Sequence, residues 1–101
     1  MRISDFDKSN LGSITSHYEV KNKSMILKHL TNRDYLNYAS TKKVYDVFQK
    51  ADSTKYCQVG YSDGVYQWTS DEIYYFDKYN LKLNDDFISY VLSKCADFTV
   101  N

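Results

Sequence analysis

The dipeptide Asp63-Gly64 stands between two runs that read as strands, KYCQVGYS and VYQWT. Asp-Gly in that setting signals a two-residue type I′ hairpin, because both central positions need a positive φ. A turn at Asp63-Gly64 pairs Tyr61 with Tyr66 and Val59 with Trp68. Cross-strand partners share a face. Cys57, Val59, Tyr61, Tyr66 and Trp68 therefore line one side, which is the core candidate. Tyr56, Gln58, Ser62, Gln67 and Thr69 line the other.

The next residues, TSDEIYYFDKYN, read as a helix from Thr69 to Asn80. Thr69 and Glu72 match a capping box. Asp71 and Glu72 also suit the positive end of the helix dipole. Ile73 and Phe76 are spaced to face a core. Tyr75 and Tyr79 form an i, i+4 pair on an adjacent face, and Tyr74 and Asp77 are left outside. Leu81-Lys82-Leu83 connects to a last helix, about residues 84–96. Asn84 caps it, Asp85 and Asp86 occupy its first turn, and Phe87, Ile88, Val91, Leu92 and Cys95 form a broad apolar stripe.

The first half is less regular. Ile3, Phe6 and Leu11 are candidate anchors in a polar N-terminal stretch. Alternation over Ile14, Ser16, Tyr18 and Val20 predicts a half-buried strand. Asn22–Ser24 supplies a break and a cap for a short helix through Met25, Ile26, Leu27 and Leu30, ending near Asn32. In DYLNYAS, Leu36 and Ala39 are spaced to face a core, with Tyr35 and Tyr38 on the flank. Ser40 or Thr41 then caps a helix over KKVYDVFQKA, whose stripe is Val44, Val47, Phe48 and Ala51. Together these elements predict one α+β domain over residues 1–101, a small antiparallel sheet packed against several short helices.

Composition narrows the function classes. No apolar run reaches the ~18 residues of a membrane span, and MRISDFDKSN has no apolar region of a signal peptide, so a cytoplasmic protein is expected. Proline is absent, and the abundance of Asn, Lys and Tyr fits the AT-rich codons of a low-GC bacterium or its phages. Cys57 and Cys95 lack CxxC spacing and are expected to be buried thiols. His17 and His29 form no HxxxH or HExxH pattern, so neither a metal nor another cofactor is expected, and both histidines read as exposed or half-buried. No nucleophile elbow, P-loop or GxGxxG is present. The carboxylate pairs Asp71-Glu72 and Asp85-Asp86 sit where helix N-termini favour acids. Nothing points to an enzyme.

Two surfaces compete for a partner. Net charge is zero, yet residues 1–50 hold nine basic and five acidic residues, and residues 51–101 hold four and eight. Lys21, Lys23, Lys28, Arg33, Lys42 and Lys43, with Tyr35 and Tyr38 among them, offer phosphate contacts and stacking rings to a nucleic acid. Against that stands the zero net charge, since nucleic-acid-binding domains are usually strongly basic. The second half is acidic and rich in tyrosine, which is enriched in protein interfaces. Eleven tyrosines are many for a core of this size.

The leading expectation is a small non-enzymatic protein-binding module. Its contacts would be Tyr74, Asp77, Tyr75, Tyr79 and Asp63, with Asp71, Glu72, Asp85 and Asp86 as further acids facing a basic partner. Such a module suits a phage or mobile-element inhibitor of a host defence protein, comparable to an anti-CRISPR. It would cover a nuclease's nucleic-acid-binding surface or block its conformational change. The alternatives are a nucleic-acid-binding regulator using the Lys21–Lys43 region and an immunity protein for a bacterial toxin. An exposed tyrosine face would also suit a homodimer.

Overall fold

The computed structural model describes residues 1–6, 11–15, 20–44 and 56–99. It is an α+β fold with a three-stranded antiparallel sheet, and the C-terminal helix expected from the sequence is present. The elements in chain order are α1 (Leu11–Ile14), α2 (Lys23–Leu30), a 3₁₀ turn (Arg33–Tyr35), β1 (Leu36–Val44), β2 (Tyr56–Ser62), β3 (Gln67–Thr69), α3 (Ser70–Tyr79) and α4 (Asp85–Thr99). The strand order is β1-β2-β3. α2 packs on α4 and α3, and α3 lies against β2 and β3. Among the described residues, no helix is long and apolar enough to cross a membrane.

The hairpin forms, but its register is moved by two residues. Tyr61 pairs with Trp68 and Ser62 with Gln67, so the central pair of the turn is Gly64-Val65. The cause is the Asp63 side chain. Its Oδ1 accepts from Val65 N at 2.9 Å and Tyr66 N at 2.8 Å, while Asp63 N donates to the Tyr66 carbonyl at 3.1 Å. Only one central residue then needs a positive φ, and Gly64 takes it at 93°. A two-residue shift keeps every side chain on its face. Trp68 and Tyr66 are accordingly buried, and the Tyr61 ring stacks parallel to the Trp68 indole.

Cys57 departs from expectation and is exposed. β3 has only three residues and stops opposite Gly60, so nothing in that strand reaches the level of Cys57. The Cys95 side chain lies outside the described residues.

β1 replaces the helix expected from residue 42. Ladder pairing with β2 runs from Leu36↔Tyr61 to Val44↔Tyr56, interrupted by irregular steps. The β-branched Thr41 and Val44 suit a strand at least as well as a helix cap and stripe. The remainder of that expected helix lies outside the described residues. Leu36 and Ala39 are exposed rather than core-facing, because in a strand their i, i+3 spacing does not define one face. Likewise Ile14 ends α1 instead of opening a strand, and residues 16–19 lie outside the described part.

The core gathers side chains from every layer. Ile26 and Leu30 of α2, Tyr75 and Phe76 of α3, Leu81 and Leu83 of the connector, and Phe87 and Val91 of α4 are all buried. Ile3 joins them as a fully buried anchor. The N-terminal segment reaches it by running between two partners. Arg2 bridges Gln67 in parallel, Ser4 bridges Leu83 in antiparallel, and Asn84 N donates to the Ile3 carbonyl at 2.7 Å. Trp68 Nε1 donates to the Leu30 carbonyl at 3.0 Å. That bond satisfies a buried indole N–H and one of the open carbonyls at the end of α2.

Candidate functional site

α3 carries the residues with the strongest claim to a surface role. Its start is fixed by the Thr69–Glu72 capping box, in which Thr69 N donates to Glu72 Oε1 at 3.2 Å. Its end is fixed by Asn80, which adopts φ 56° and returns its N–H to the Phe76 carbonyl. Lys23 Nζ adds donors to the Asp77 carbonyl at 2.6 Å and to Asn80 Oδ1 at 2.7 Å. A cation at a helix C-terminus opposes the dipole there.

Between those ends the helix is rotated from the sequence expectation. Tyr75 sits at 1% exposure beside Phe76, while Ile73 is only half-buried. Tyr75 is thus a core residue and not a contact residue. Its ring packs on Phe6, Tyr74 and Tyr79 at centroid distances of 5.6, 5.4 and 6.0 Å. Asp63 is also removed from the exterior, since its side chain has 0% exposure.

What remains outside is a compact group. Tyr74 and Tyr79 are half-buried and Asp77 is exposed. Lys78 Nζ lies 5.6 Å from the Tyr74 ring centroid and 5.8 Å from that of Tyr79, and donates to Tyr74 Oη at 3.3 Å. Such cation–π contacts hold both rings in place. Beside them runs a groove of about 300 Å³, lined by Thr31, Tyr61, Ser70, Ile73, Tyr74 and Asp77.

The acids at the start of α3 do not share this exposure. Asp71 and Glu72 are 3% and 4% exposed. Their place in the sequence suits the helix dipole and a basic partner; burial removes the second role. Gln58 Nε2 donates to Asp71 Oδ2 at 3.1 Å, and Ser4 Oγ donates to Glu72 Oε2 at 2.6 Å. Burial pushes the Glu72 carboxyl above its ordinary value, against the hydrogen bonds from Ser4 and Thr69 and the charge of Arg2.

That shift has a definite sign. The folded protein holds the Glu72 proton more tightly than the unfolded chain. Stability therefore falls as pH rises from the ordinary value of 4.5 towards the higher folded value. Glu72→Gln keeps an acceptor for Thr69 and removes the charge. It is expected to be neutral or stabilising at neutral pH and to abolish this component of the pH slope. Glu72→Ala is expected to cost about 1–3 kcal/mol by orphaning two donors. Urea midpoints of wild type and both variants across the weakly acidic range check this.

The basic set is only partly assembled. Lys21, Lys28 and Arg33 are exposed, Lys23 is committed to the end of α3, and Lys42 and Lys43 lie in β1 with side chains outside the described residues.

One buried pair has no counterpart in the sequence reading. His29 Nε2 and Asp63 Oδ2 are 2.8 Å apart, with side-chain exposures of 8% and 0%. Rings of Tyr35, Trp68, Phe87 and Tyr90 surround the imidazole at 4.9 to 6.1 Å. A His–Asp pair can orient a proton acceptor, but this one is walled by aromatics and ties α2 to the hairpin turn. A single histidine on a short helix gives no signal of it, because its partner lies 34 residues away.

No family model matches the sequence, and no curated protein or solved structure is found similar to it.

Proposed function

We propose that the protein is a non-enzymatic protein-binding module whose contact surface is the outside of α3, centred on Tyr74, Asp77 and Tyr79. The groove beside Tyr74 carries this reading. It combines two tyrosines, Tyr61 and Tyr74, with one exposed carboxylate, Asp77, on regular secondary structure. Tyrosine supplies large contact area with few rotatable bonds, and anchors of this kind dominate binding energy. Exposed acids at Asp77, Asp85 and Asp86 favour a basic partner surface.

The partner class we favour is the nucleic-acid-binding surface of a host nuclease, covered by an antagonist of phage or mobile-element origin in the manner of an anti-CRISPR. A bacterial toxin neutralised by an immunity protein would meet the same surface. The nucleic-acid reading keeps only Lys21, Lys28 and Arg33 as exposed cations with described side chains.

The test is capture of partners from bacterial lysate on immobilised protein, with and without nuclease treatment. Tyr74→Ala combined with Asp77→Lys is expected to weaken a captured partner at least tenfold, as loss of an interface anchor does, while thermal unfolding stays within a few degrees of wild type. Capture that disappears on nuclease treatment, or that the double variant leaves unchanged, would sink the proposal.

A further inference from the structure

Tyr61 also lines a second cleft, of about 310 Å³, formed by the sheet and the N-terminal segment. That volume falls at the lower end of small-molecule sites, about 300–1,000 Å³. Tyr38, Tyr61 and Trp68 are among its lining residues, together with Asn37, Gln58 and Gln67.

Tyr38 is the accessible ring, at 49% exposure. It lies over Gly60, its partner in the ladder; a Cβ there would collide with the ring. The glycine lets an aromatic plate rest on the backbone with much of its surface open. On the core side of the sheet the rings of Tyr61 and Trp68 stack 6.0 Å apart and 5° from parallel. Gln58 is held in place by donating to Asp71. Arg2 lines the same cleft and is fixed by donating to the Phe6 carbonyl at 2.7 Å.

We propose that this cleft binds a nucleobase, stacked on Tyr38 and met at its edge by the amides of Asn37, Gln58 and Gln67. Ring stacking is worth most to a planar heteroaromatic ligand. A side-chain amide carries both a donor and an acceptor, the combination that pairs with base edges. Arg2 is the group placed to meet a phosphate attached to that base. The lining carboxylate, Glu72, already accepts from Ser4 and Thr69, so the ligand need not bring a cation. The base can belong to a free nucleotide or to a single strand. Either source goes beyond the α3 surface, and the two proposals fail separately.

Trp68 is the only tryptophan and lines the cleft, so its emission reports occupancy. Titration with adenosine and uridine monophosphates, and with a short single-stranded oligonucleotide, is expected to give a saturable change at or below ~1 mM. Tyr38→Ala should weaken binding at least fivefold, the loss of one stacking surface. Tyr38→Phe should retain it, and Tyr74→Ala with Asp77→Lys should leave it unchanged. Equal affinity for monophosphate and oligonucleotide assigns a free nucleotide; binding of the oligonucleotide alone, weakened by Tyr38→Ala, assigns a strand. No saturable change with any probe overturns the proposal, as does binding that Tyr38→Ala leaves intact. A far-ultraviolet dichroism spectrum identical to wild type shows that the Tyr38 variants are folded.

Discussion

Phe87→Ala is expected to cost about 3–5 kcal/mol, the range for emptying a buried aromatic site. Phe87 has 0% exposure and is the ring at which three elements meet. From α4 it reaches Tyr66 and Trp68 of the hairpin, at centroid distances of 5.0 and 6.0 Å, and His29 of α2 at 5.8 Å. The Tyr66 contact is edge-on, an arrangement in which the positive ring edge meets a negative face. Truncation removes apolar burial and leaves a void whose walls belong to different elements, so collapse around it is difficult. Against a total stability of about 5–15 kcal/mol, the loss brings the protein close to unfolding. Urea denaturation followed through Trp68 measures it. Phe87→Leu is expected to lose much less, because most of the volume is kept. A loss below about 1 kcal/mol for Phe87→Ala would show that this aromatic cluster does not bear the fold.

Asp63→Ala is expected to cost about 2–4 kcal/mol, because it leaves three donors without their acceptor. Two are backbone N–H groups, of Val65 and Tyr66, and the third is His29 Nε2. The pH dependence adds a signature. Burial pushes the Asp63 carboxyl up, but hydrogen bonds from Tyr66 N, Val65 N and His29 outweigh it and hold the group below 3.8. A carboxyl that is more acidic when folded contributes stability above the unfolded value. That contribution is lost as pH falls through the folded value. Wild type should therefore lose stability below about pH 4, and Asp63→Ala should lose less over the same interval. Glu72 has the opposite sign. Acid titrations of the two variants should thus depart from wild type in opposite directions.

Much of this architecture is legible in the residues. Thr69 and Glu72 announce the start of α3, because a capping box satisfies backbone donors locally and needs nothing distant. Asn84, Asp85 and Asp86 with the stripe from Phe87 do the same for α4. The hairpin is visible, but its register is not. Asp63 can either occupy a central turn position or cap the turn with its carboxylate, and the second wins through its contact with His29. β1 was hidden by an ambiguity of the same sort, since Ser40 and Thr41 suit a cap and Thr41 and Val44 suit a strand. Partnership with β2, across the chain, decides it.

The candidate site was half legible. Asp77 is exposed as its spacing implies, and Tyr74 and Tyr79 are half-buried beside it. Tyr75 is buried instead, because α3 turns it rather than Ile73 into the deepest part of the core. The inward turn of Asp71 and Glu72 depends on Gln58 and Ser4, which lie 13 and 68 residues away in the chain. No local pattern carries that information. Lys23 is one of six cations whose place in the sequence suits phosphate, yet its ammonium group closes the end of α3.

The N-terminal segment has a consequence for how the chain must assemble. Met1 meets Val65, Ser4 meets Glu72 and Arg2 meets Asn84, across sequence separations of 64, 68 and 82 residues. On the ribosome these first residues emerge long before any of their partners exist. Ile3 must wait, solvent-exposed, until the connector after α3 has been synthesised, so this side of the core closes only after Leu83 and Asn84 are out. Contacts of such long range slow folding, since the loop must be closed before they repay its entropy. Docking of the first four residues is therefore expected among the late events of folding, completing a core that the hairpin, α2 and α4 have already outlined.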